Sequence, residues 1–420
     1  MKADEAFTHV PTVLGAYPCR AGNRASPLVG GVSIFRRIAD AVDAARYSIW
    51  LTVAFFSPHF SLPDGRGNLF DVLDRAIARG VDVRLLLWRP NPESYGIDRT
   101  FWGSAADREL LAKRGARFKI RWDRLPGRYC HHQKTWMIDA GRTGETAFVG
   151  GANMSVDTLK RHDVFVELAG PAATDVHHNF VQRWNAASER ERSDGNWACD
   201  STDTMAFPEC LSPPRGSTTV QVQRMMLPDE NTILEQYEQA IDTAQRTIYL
   251  ENQAIPEPRI ANRLLRALDR GVDVVLVVPA AAEAHVVAAR RDPAEQGPFD
   301  SLRALGRRPN FLLTGISEPH VSELQPKYVH AKTMLIDDSW ATIGSCNLHR
   351  FSLFGHSEMN VSIWDGAVVR DLRCRLFRDH LGLDTADLGD AAAVGLFRRV
   401  AMERRPGAAF VLAADRYALT

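Results

Sequence analysis

The chain has 420 residues, of which 45% are hydrophobic and 24% are charged, a composition typical of a globular protein with a large core. Lysine plus arginine equals aspartate plus glutamate at 51 each, so the formal net charge is zero. This balance excludes a general electrostatic attraction to nucleic acid or anionic membranes, and it disfavours a nuclease. The length alone predicts about two to three domains.

The N-terminal sequence and the cysteines indicate the compartment. The first residues lack the apolar core of a signal peptide, and no stretch approaches the ~18 apolar residues of a membrane span. We therefore expect a cytoplasmic or peripheral membrane protein that reaches lipid from the membrane surface. The six cysteines include no C-x-x-C pair. This predicts reduced thiols, with a bridge between Cys199 and Cys210 as the alternative.

The first half of the chain alternates predicted strands and helices. An apolar run at 46–56 predicts a buried strand. Apolar residues at three- and four-residue spacing predict a helix over 69–78, which Gly80 ends. The remaining predicted elements of this half are strands at 84–88 and 118–122 around a helix at 104–114, strands at 134–139 and 163–169, and a helix at 171–186.

The second half repeats this order and part of the sequence. Arg-Gly-Val-Asp-Val occurs at 79–83 and again at 270–274. A period this long indicates a duplicated domain and not a solenoid. The alternation predicts an α/β fold of two pseudo-symmetric α/β sandwich lobes, each with a largely mixed or parallel sheet. The predicted strands of this half lie at 246–253, 275–279, 311–314, 332–337 and 358–364, and its helices at 260–268, 298–306 and 367–382.

These patterns divide the chain into five segments. The stretch at 187–216 is polar and rich in proline and glycine, which is typical of a linker. The predicted segments are an N-terminal extension at 1–30, a first lobe at 31–186, the linker, a second lobe at 217–385 and a C-terminal tail at 386–420.

The same motif, H-x-K followed by four residues and an aspartate, occurs once in each predicted lobe. Its members, which we assign to the catalytic motif, are His132, Lys134, Asp139, His330, Lys332 and Asp337. Residues two apart in a strand point the same way, so each histidine shares a face with its lysine. The aspartates have the opposite parity, which favours contacts with backbone or neighbouring structure over contacts with a phosphate. One imidazole can attack phosphorus, the other can protonate the leaving group, and the lysines can hold phosphoryl oxygens.

Each motif is followed by a glycine-containing turn, an asparagine and a carboxylate. The turns are Gly-Gly-Ala-Asn at 150–153 and Gly-Ser-Cys-Asn at 344–347. Their glycines let backbone amides approach a ligand. Asp163 and Glu358 open the next strand of each half, where each can accept a hydrogen bond from an imidazole Nδ1–H and so present Nε2 to phosphorus. We therefore assign phosphate-binding or orienting roles to Gly151, Asn153, Asp163, Ser345, Asn347 and Glu358.

Other conspicuous residues are assigned to structure. A metal site of His131, His132 and Asp139 is disfavoured, because adjacent strand residues face opposite sides, and no metal is expected. His177 and His178 are predicted to face solvent from a helix, and the remaining histidines are assigned no site. Core and rim packing is predicted for the aromatic residues near loop tips, with an apolar mouth that touches the bilayer as the alternative. These aromatic residues are Phe55, Phe56, Phe60, Tyr95, Phe101, Trp102, Phe351 and Phe354.

The duplicated motif resembles the signature of the phospholipase D superfamily, and the resemblance covers about 20 to 385. The sequences at 328–332 and 248–253 look like those of its phosphatidylcholine-cleaving branch. The resemblance implies two pseudo-symmetric lobes whose motifs meet at one active site, a phosphohistidine intermediate, no cofactor and no obligatory catalytic metal. It also implies that His132 is the nucleophile and His330 the acid and base, although pseudo-symmetry leaves the reverse open.

These features together predict a phospholipase D-type phosphodiesterase and phosphatidyltransferase. It would cleave the headgroup side of a phospholipid phosphodiester, with water or an alcohol as the acceptor. The alternatives are a cardiolipin-synthase-like phosphatidyltransferase and a superfamily nuclease that acts on DNA or RNA. The expected partners are a phospholipid substrate and a membrane surface in peripheral contact, without nucleic acid. Since both motifs lie in one chain, we expect a monomer.

Overall fold

A computed structural model describes residues 9–94, 100–228 and 230–419. Two mixed β-sheets with helices packed on them form the two halves of the molecule. The elements of the first half are β1 (Arg20–Val29), α1 (Gly31–Ala44), β2 (Ser48–Val53), α2 (Leu69–Ala78), β3 (Asp82–Trp88), α3 (Ala105–Arg114), β4 (Lys119–Asp123), β5 (Thr135–Ile138), β6 (Thr146–Gly150), β7 (Val164–Ala169), α4 (Pro171–Asn185) and β8 (Asn196–Trp197).

The second half repeats the arrangement and adds several short elements within it and two elements at its C-terminal end. Its elements are β9 (Thr218–Met226), β10 (Glu230–Asn231), α5 (Thr232–Thr243), β11 (Thr247–Asn252), α6 (Pro258–Asp269), β12 (Asp273–Val277), α7 (Ala284–Arg291), α8 (Gly297–Gly306), β13 (Phe311–Ser317), β14 (Pro326–Lys327), β15 (Lys332–Ile336), β16 (Trp340–Gly344), α9 (Arg350–Phe354), β17 (Glu358–Trp364), α10 (Gly366–Leu381), α11 (Asp390–Glu403) and β18 (Ala409–Val411).

The two sheets have matching strand orders. The first runs β1-β7-β6-β5-β2-β3-β4-β8, with β2, β3 and β4 parallel and the other neighbours antiparallel. The second runs β9-β17-β16-β15-β11-β12-β13, with β11, β12 and β13 parallel. Strand β1 pairs with both β7 and β9, so it links the sheets. The predicted α/β fold with a duplicated mixed sheet is confirmed.

Helix α2 illustrates how local sequence sets these elements. The Asn68 side chain accepts a hydrogen bond from the Asp71 N–H at 3.0 Å, and the Asp71 carboxylate accepts one from the Asn68 N–H at 3.1 Å. This capping box satisfies two backbone groups that the first turn leaves free. Gly80, with φ of +85°, ends the helix in a backbone conformation that favours glycine. The helix predicted over 69–78 is therefore found at those residues.

The segments predicted as extension, linker and tail each supply a strand, namely β1, β8 and β18. Within the linker, Glu189 also accepts a hydrogen bond from the buried Arg89 guanidinium at 2.9 Å. The tail adds α11, which packs on the second half. All six cysteines are free, so the bridge between Cys199 and Cys210 is not formed. The three segments therefore belong to the sheets they border, and the five-part division stays a prediction.

The apolar core has a central part shared by the two halves and an outer part in each. The central cluster contains residues of both sheets, among them Val166 of β7 and Val361 of β17. Each fully buried side chain of this kind contributes roughly 1.5–3 kcal/mol. The halves are therefore joined by a common core as well as by the linker.

Three of the aromatic residues predicted near loop tips lie in the core. Phe56, Phe60 and Phe101 are each 1% exposed and pack in the outer cluster of the first half. The alternative prediction that they form an apolar mouth is therefore wrong. Tyr95 lies outside the described residues. Each helix within the described ranges is too short or too polar to span a bilayer.

Candidate active site

The two motif histidines meet between the halves, and each pairs with a carboxylate from the other half. His132 Nδ1 lies 2.9 Å from both carboxylate oxygens of Glu358. His330 Nδ1 lies 2.7 Å from Asp163 Oδ2. The predicted imidazole–carboxylate pairs are present in the structure, and they cross between the halves. We call them the crossed pairs.

Backbone hydrogen bonds hold the crossed pairs in place. The His132 N–H donates to the carbonyl of Ser357 at 2.9 Å, and the His330 N–H donates to the carbonyl of His162 at 2.8 Å. Ser357 and His162 directly precede the two carboxylates. The segment before each motif therefore pairs with the strand entrance of the opposite half, and each carboxylate comes opposite its imidazole.

The two motif lysines lie close to the crossed pairs, and their charges act on both imidazoles. Lys134 Nζ donates to the carbonyl of His132 at 2.6 Å, and Lys332 Nζ donates to the carbonyl of His330. Lys332 Nζ also donates to Gln253 Oε1 at 3.0 Å. All four motif side chains are buried. Two buried cations between two imidazoles can hold the oxygens of an anionic phosphodiester.

Burial sets the protonation of the crossed pairs. It lowers the pKa of His132 and of His330 well below the ordinary value, and the nearby lysine charges act in the same direction. Burial also raises the pKa of Asp163 to about 7 and raises that of Glu358. Each free imidazole is therefore neutral, with its proton on Nδ1 facing a carboxylate and its lone pair on Nε2.

The glycine and asparagine elements also reach the site. Asn153 Nδ2 lies 3.5 Å from His330 Nε2, in agreement with a lone pair on that nitrogen. A Cβ on Gly151 would lie 2.5 Å from Asp163 Oδ1, so only glycine fits beside the crossed pair. Ser345, the counterpart of Gly151, donates its hydroxyl to Glu358 Oε2 at 2.5 Å. Asn347 is buried, and its Oδ1 has no hydrogen-bond partner among the described residues.

The motif aspartates lie in the turns that follow β5 and β15, away from the imidazoles. Asp139 accepts hydrogen bonds from the backbone N–H groups of 46–48 at 2.7–3.2 Å. Asp337 accepts them from the backbone N–H groups of 245–247 at 2.6–2.9 Å. Both have φ of +52°, a conformation that aspartate tolerates better than most residues. They hold the entrances of β2 and β11, the structural role that the sequence favoured, and any part of theirs in the reaction stays a prediction.

We expect Asp337→Ala to lower the free energy of unfolding by about 2–4 kcal/mol, because buried backbone donors lose a charged acceptor. Chemical denaturation measures this loss, and kcat of the folded fraction should stay within about tenfold of wild type. Asp337→Asn, which keeps the shape and tolerates the positive φ, should lose less stability. A loss of kcat as large as that of a histidine variant, with stability unchanged, would contradict the structural role.

Several groups near the site were missed by sequence reasoning. The His356 ring centroid lies 5.6 Å from that of His132, and the Tyr328 ring centroid lies 6.2 Å from that of His330. The Arg161 guanidinium lies 4.9 Å from the Tyr328 ring centroid. His356 and Tyr328 each lie two residues from a predicted site residue, and this short separation is the signal that could have identified them.

Two predictions about other histidines are wrong. His177 is buried, with Nδ1 2.7 Å from Glu145 Oε1, and His178 is half-buried, with Nδ1 3.1 Å from the Tyr17 hydroxyl. Neither faces solvent freely, because α4 packs against the first sheet. His131, in contrast, has the structural role assigned to it, since its Nδ1 lies 2.8 Å from Ser357 Oγ.

The lowered pKa values of the motif lysines predict that activity falls at alkaline pH. Burial lowers the pKa of Lys134 to about 8 and that of Lys332 to about 7, although nearby carboxylates oppose the shift. Only the ammonium form attracts a phosphodiester anion, so kcat/KM should fall as pH rises above about 7. The bound anion favours the ammonium form, so kcat should fall at higher pH than kcat/KM.

A pH–rate profile of Lys332→Arg tests this assignment, because arginine keeps its charge throughout the accessible range. The alkaline limb should move to higher pH, with a lower maximum from imperfect fit. An alkaline limb that stays in place in Lys332→Arg and in Lys134→Arg would show that another group titrates.

The family model described as "Cardiolipin synthase, PLD-like domain" matches residues 38–184 and 237–380. Cardiolipin synthase A of Pseudomonas entomophila (strain L48) is 25% identical over 87% of this chain and 70% of its own length. Cardiolipin synthase A of Pseudomonas putida (strain W619) is 26% identical over 80% of this chain and 64% of its own length. Phospholipase D A of Dictyostelium discoideum is 25% identical over 83% of this chain and 35% of its own length.

Among solved structures, phosphatidylserine synthase from Haemophilus influenzae Rd KW20 has the same fold, with a TM-score of 0.61 and 15% identity over 93% of this chain and 95% of that one. The chain thus spans about two thirds of the length of the cardiolipin synthases it matches. The comparisons do not confirm membership of the phosphatidylcholine-cleaving branch, which the sequence around the motifs favoured. Each family match contains one complete motif and one of the crossed carboxylates, and together they cover most of the chain. The protein is therefore an enzyme of the phospholipase D superfamily that acts on phosphodiesters, and it belongs to the PLD-like domain family of the cardiolipin synthases.

Proposed function

We propose that this protein is a phosphatidyltransferase that moves a phosphatidyl group from one phospholipid headgroup to an alcohol acceptor, as in cardiolipin synthesis. The observation that carries the proposal is the pair of crossed imidazoles over two buried lysines. One site of this kind holds a single phosphodiester between two nitrogen groups. The family membership of the protein and the cardiolipin synthases among its relatives favour the hydroxyl group of a second phospholipid as the acceptor.

In the first step, His132 Nε2 attacks phosphorus, a P–N bond forms and the P–O bond to the headgroup breaks. His330 gives the leaving alkoxide a proton from Nε2. The bound phosphodiester anion favours the imidazolium form of His330 that this transfer requires. Glu358 and Asp163 hold the Nδ1 protons and orient both rings. Lys134, Lys332 and the two site asparagines hold the non-bridging oxygens as negative charge builds.

In the second step, His330 takes the proton of the acceptor hydroxyl, and the oxygen of that hydroxyl attacks phosphorus. The P–N bond to His132 breaks, which restores the free enzyme. Water as acceptor gives phosphatidic acid, and the primary hydroxyl of a phosphatidylglycerol headgroup gives cardiolipin. The chemistry on the protein is the same in both cases, so the acceptor decides between hydrolysis and transfer.

A substrate panel tests the proposed function. Vesicles of phosphatidylglycerol, vesicles of phosphatidylcholine and single-stranded DNA are offered separately with chelator, with and without ethanol. We expect cardiolipin and free glycerol from phosphatidylglycerol, and phosphatidylethanol when ethanol is added. His132→Ala is the inactive control. Phosphatidic acid as the sole lipid product would contradict the transferase assignment, and cleavage of DNA alone would contradict the lipid substrate.

Membrane contact is part of the proposal and has its own test. Val156 and Phe351 follow the two site asparagines by three and four residues, and they are 70% and 41% exposed. Replacing both with serine should lower turnover of vesicle substrate several-fold and leave turnover of a monomeric short-chain substrate near wild type. Phe207→Ser, an equally exposed linker position, is the matched control. Equal losses on both substrates would exclude a membrane role.

A further inference from the structure

A second cluster of ionisable side chains lies behind the crossed pair of His330. It consists of His162 before β7, Glu251 in β11 and His380 in α10, all of them buried. One potential metal-ligand atom from each residue lies within 4.8 Å of the others. The proposed reaction uses none of these groups. Three charged or polar side chains from both halves thus converge where the phosphoryl chemistry has no need of them.

The hydrogen bonds of the cluster determine which nitrogens are available. His162 Nε2 lies 2.7 Å from Glu251 Oε2, and His380 Nε2 lies 2.6 Å from Glu251 Oε1. A carboxylate can only accept here, so both imidazoles place a proton on Nε2 and turn Nδ1 away from Glu251. Neither Nδ1 atom makes a well-aligned hydrogen bond within the described ranges, although Asp379 lies near both. Buried imidazole nitrogens without such a bond are rare in folded proteins.

A second carboxylate faces these two nitrogens. Asp379 Oδ2 lies 3.3 Å from His162 Nδ1 and 3.6 Å from His380 Nδ1. Ligands of a tetrahedral zinc ion with bonds of about 2.0 Å are about 3.3 Å apart, so this spacing matches a ligand shell. The Asp379 side chain is 38% exposed, so it is accessible from solvent. Two carboxylates therefore face the two imidazoles, so a positive charge between Asp379 and the Nδ1 atoms, carried by a proton or by a metal ion, offsets their negative charge.

We propose that these residues bind one divalent transition-metal ion of the zinc class, with His162 Nδ1, His380 Nδ1 and Asp379 as ligands and water in the open position. Glu251 orients both imidazoles from behind, which is the arrangement that histidine ligands usually have in metal sites. Two imidazoles and a carboxylate are donors that suit zinc.

A proton is the natural competitor of the metal ion at this position. Burial alone would lower the pKa of His162, but the negative charges of Glu251 and Asp379 raise it to about 10. The same two carboxylates that favour a proton therefore favour a divalent cation. Lys327 also faces Asp379 and reduces the attraction.

The position of the site gives the ion a structural role. His162 is followed directly by Asp163, and its backbone carbonyl accepts the hydrogen bond of the His330 N–H. An ion that joins His162 of the first half to α10 of the second would hold the base of the His330–Asp163 pair. It takes no part in bond making or breaking.

The test measures metal retention directly. Chelator-treated protein is loaded with zinc chloride, dialysed and analysed by atomic emission, with its thermal unfolding measured in parallel. We expect wild type to retain one zinc ion per chain with a higher Tm. Asp379→Asn and His380→Gln should lower zinc affinity by at least about tenfold and remove the rise in Tm.

Two controls separate this site from other buried histidines. His177→Gln removes a buried histidine paired with a glutamate elsewhere, and His132→Gln removes a catalytic imidazole. Both should retain zinc as wild type does. Wild type without retained zinc, or Asp379→Asn with unchanged retention, would overturn the proposal. Should His380→Gln fail to fold, Asp379→Asn decides, because its half-exposed carboxylate contributes little to the core.

Discussion

His132→Ala and His330→Ala should each lower kcat for phospholipid turnover at least about 1,000-fold, because one removes the attacking nitrogen and the other the proton donor. Both imidazoles serve one phosphodiester, so neither half can compensate for the other. The assay is headgroup release from phosphatidylglycerol vesicles, with matched circular dichroism to show that each variant is folded. Substantial multiple turnover in either variant would exclude the shared site.

A substrate with a better leaving group separates the two roles. Nitrophenolate leaves without protonation, so a phosphatidyl nitrophenyl ester does not need the general acid. His330→Ala should then release one equivalent of nitrophenol and stop, with the phosphatidyl group trapped on His132. His132→Ala should release none. Mass spectrometry of the acid-labile adduct identifies the histidine that carries it, and an adduct on His330 would reverse the assignment.

The crossed carboxylates should behave according to their spatial partners and not according to their half. Glu358→Gln should lower kcat by about 100- to 10,000-fold through loss of the correct tautomer of His132. Asp163→Asn should do the same through His330. With the nitrophenyl ester, Asp163→Asn should keep the single burst and Glu358→Gln should lose it. Asp163 lies in the half that contains His132, so pairing within each half predicts the opposite pattern.

Double variants give an independent check on the crossed pairs. Adding Glu358→Gln to His132→Ala should cost nothing further, because the carboxylate acts only through the absent imidazole. Adding Asp163→Asn to His132→Ala should lower the residual rate, because the second pair is still intact in the single variant. The reverse pattern of additivity would place each carboxylate with the histidine of its own half.

Elements set by short-range sequence were predictable in this chain. The bounds of α2 follow from the capping residues Asn68 and Asp71 and from Gly80, all of which lie at or next to an end of the helix. Strand β8 was missed because two residues carry no period.

What the sequence could not predict depends on how the halves pack. Spacing indicated that Asp163 and Glu358 would meet imidazoles, but the choice of partner is made by backbone pairing between segments more than 150 residues apart. The cluster of His162, Glu251 and His380 has the same origin, because each residue lies in a different element. The buried position of Phe101 reflects its packing against Phe70 in the aromatic core, a contact between residues far apart in the chain.

The crossed pairs also constrain how such a molecule is assembled and how it arose. A separate first half would hold an imidazole without its carboxylate and a carboxylate without its imidazole, so it would be inactive as a monomer. Two copies of that half, related by a twofold axis, would complete each other's pairs. The duplicated chain thus holds in one polypeptide the two pairs that such a dimer would form between its subunits. Co-expressed fragments cut in the linker should regain activity only when both are present.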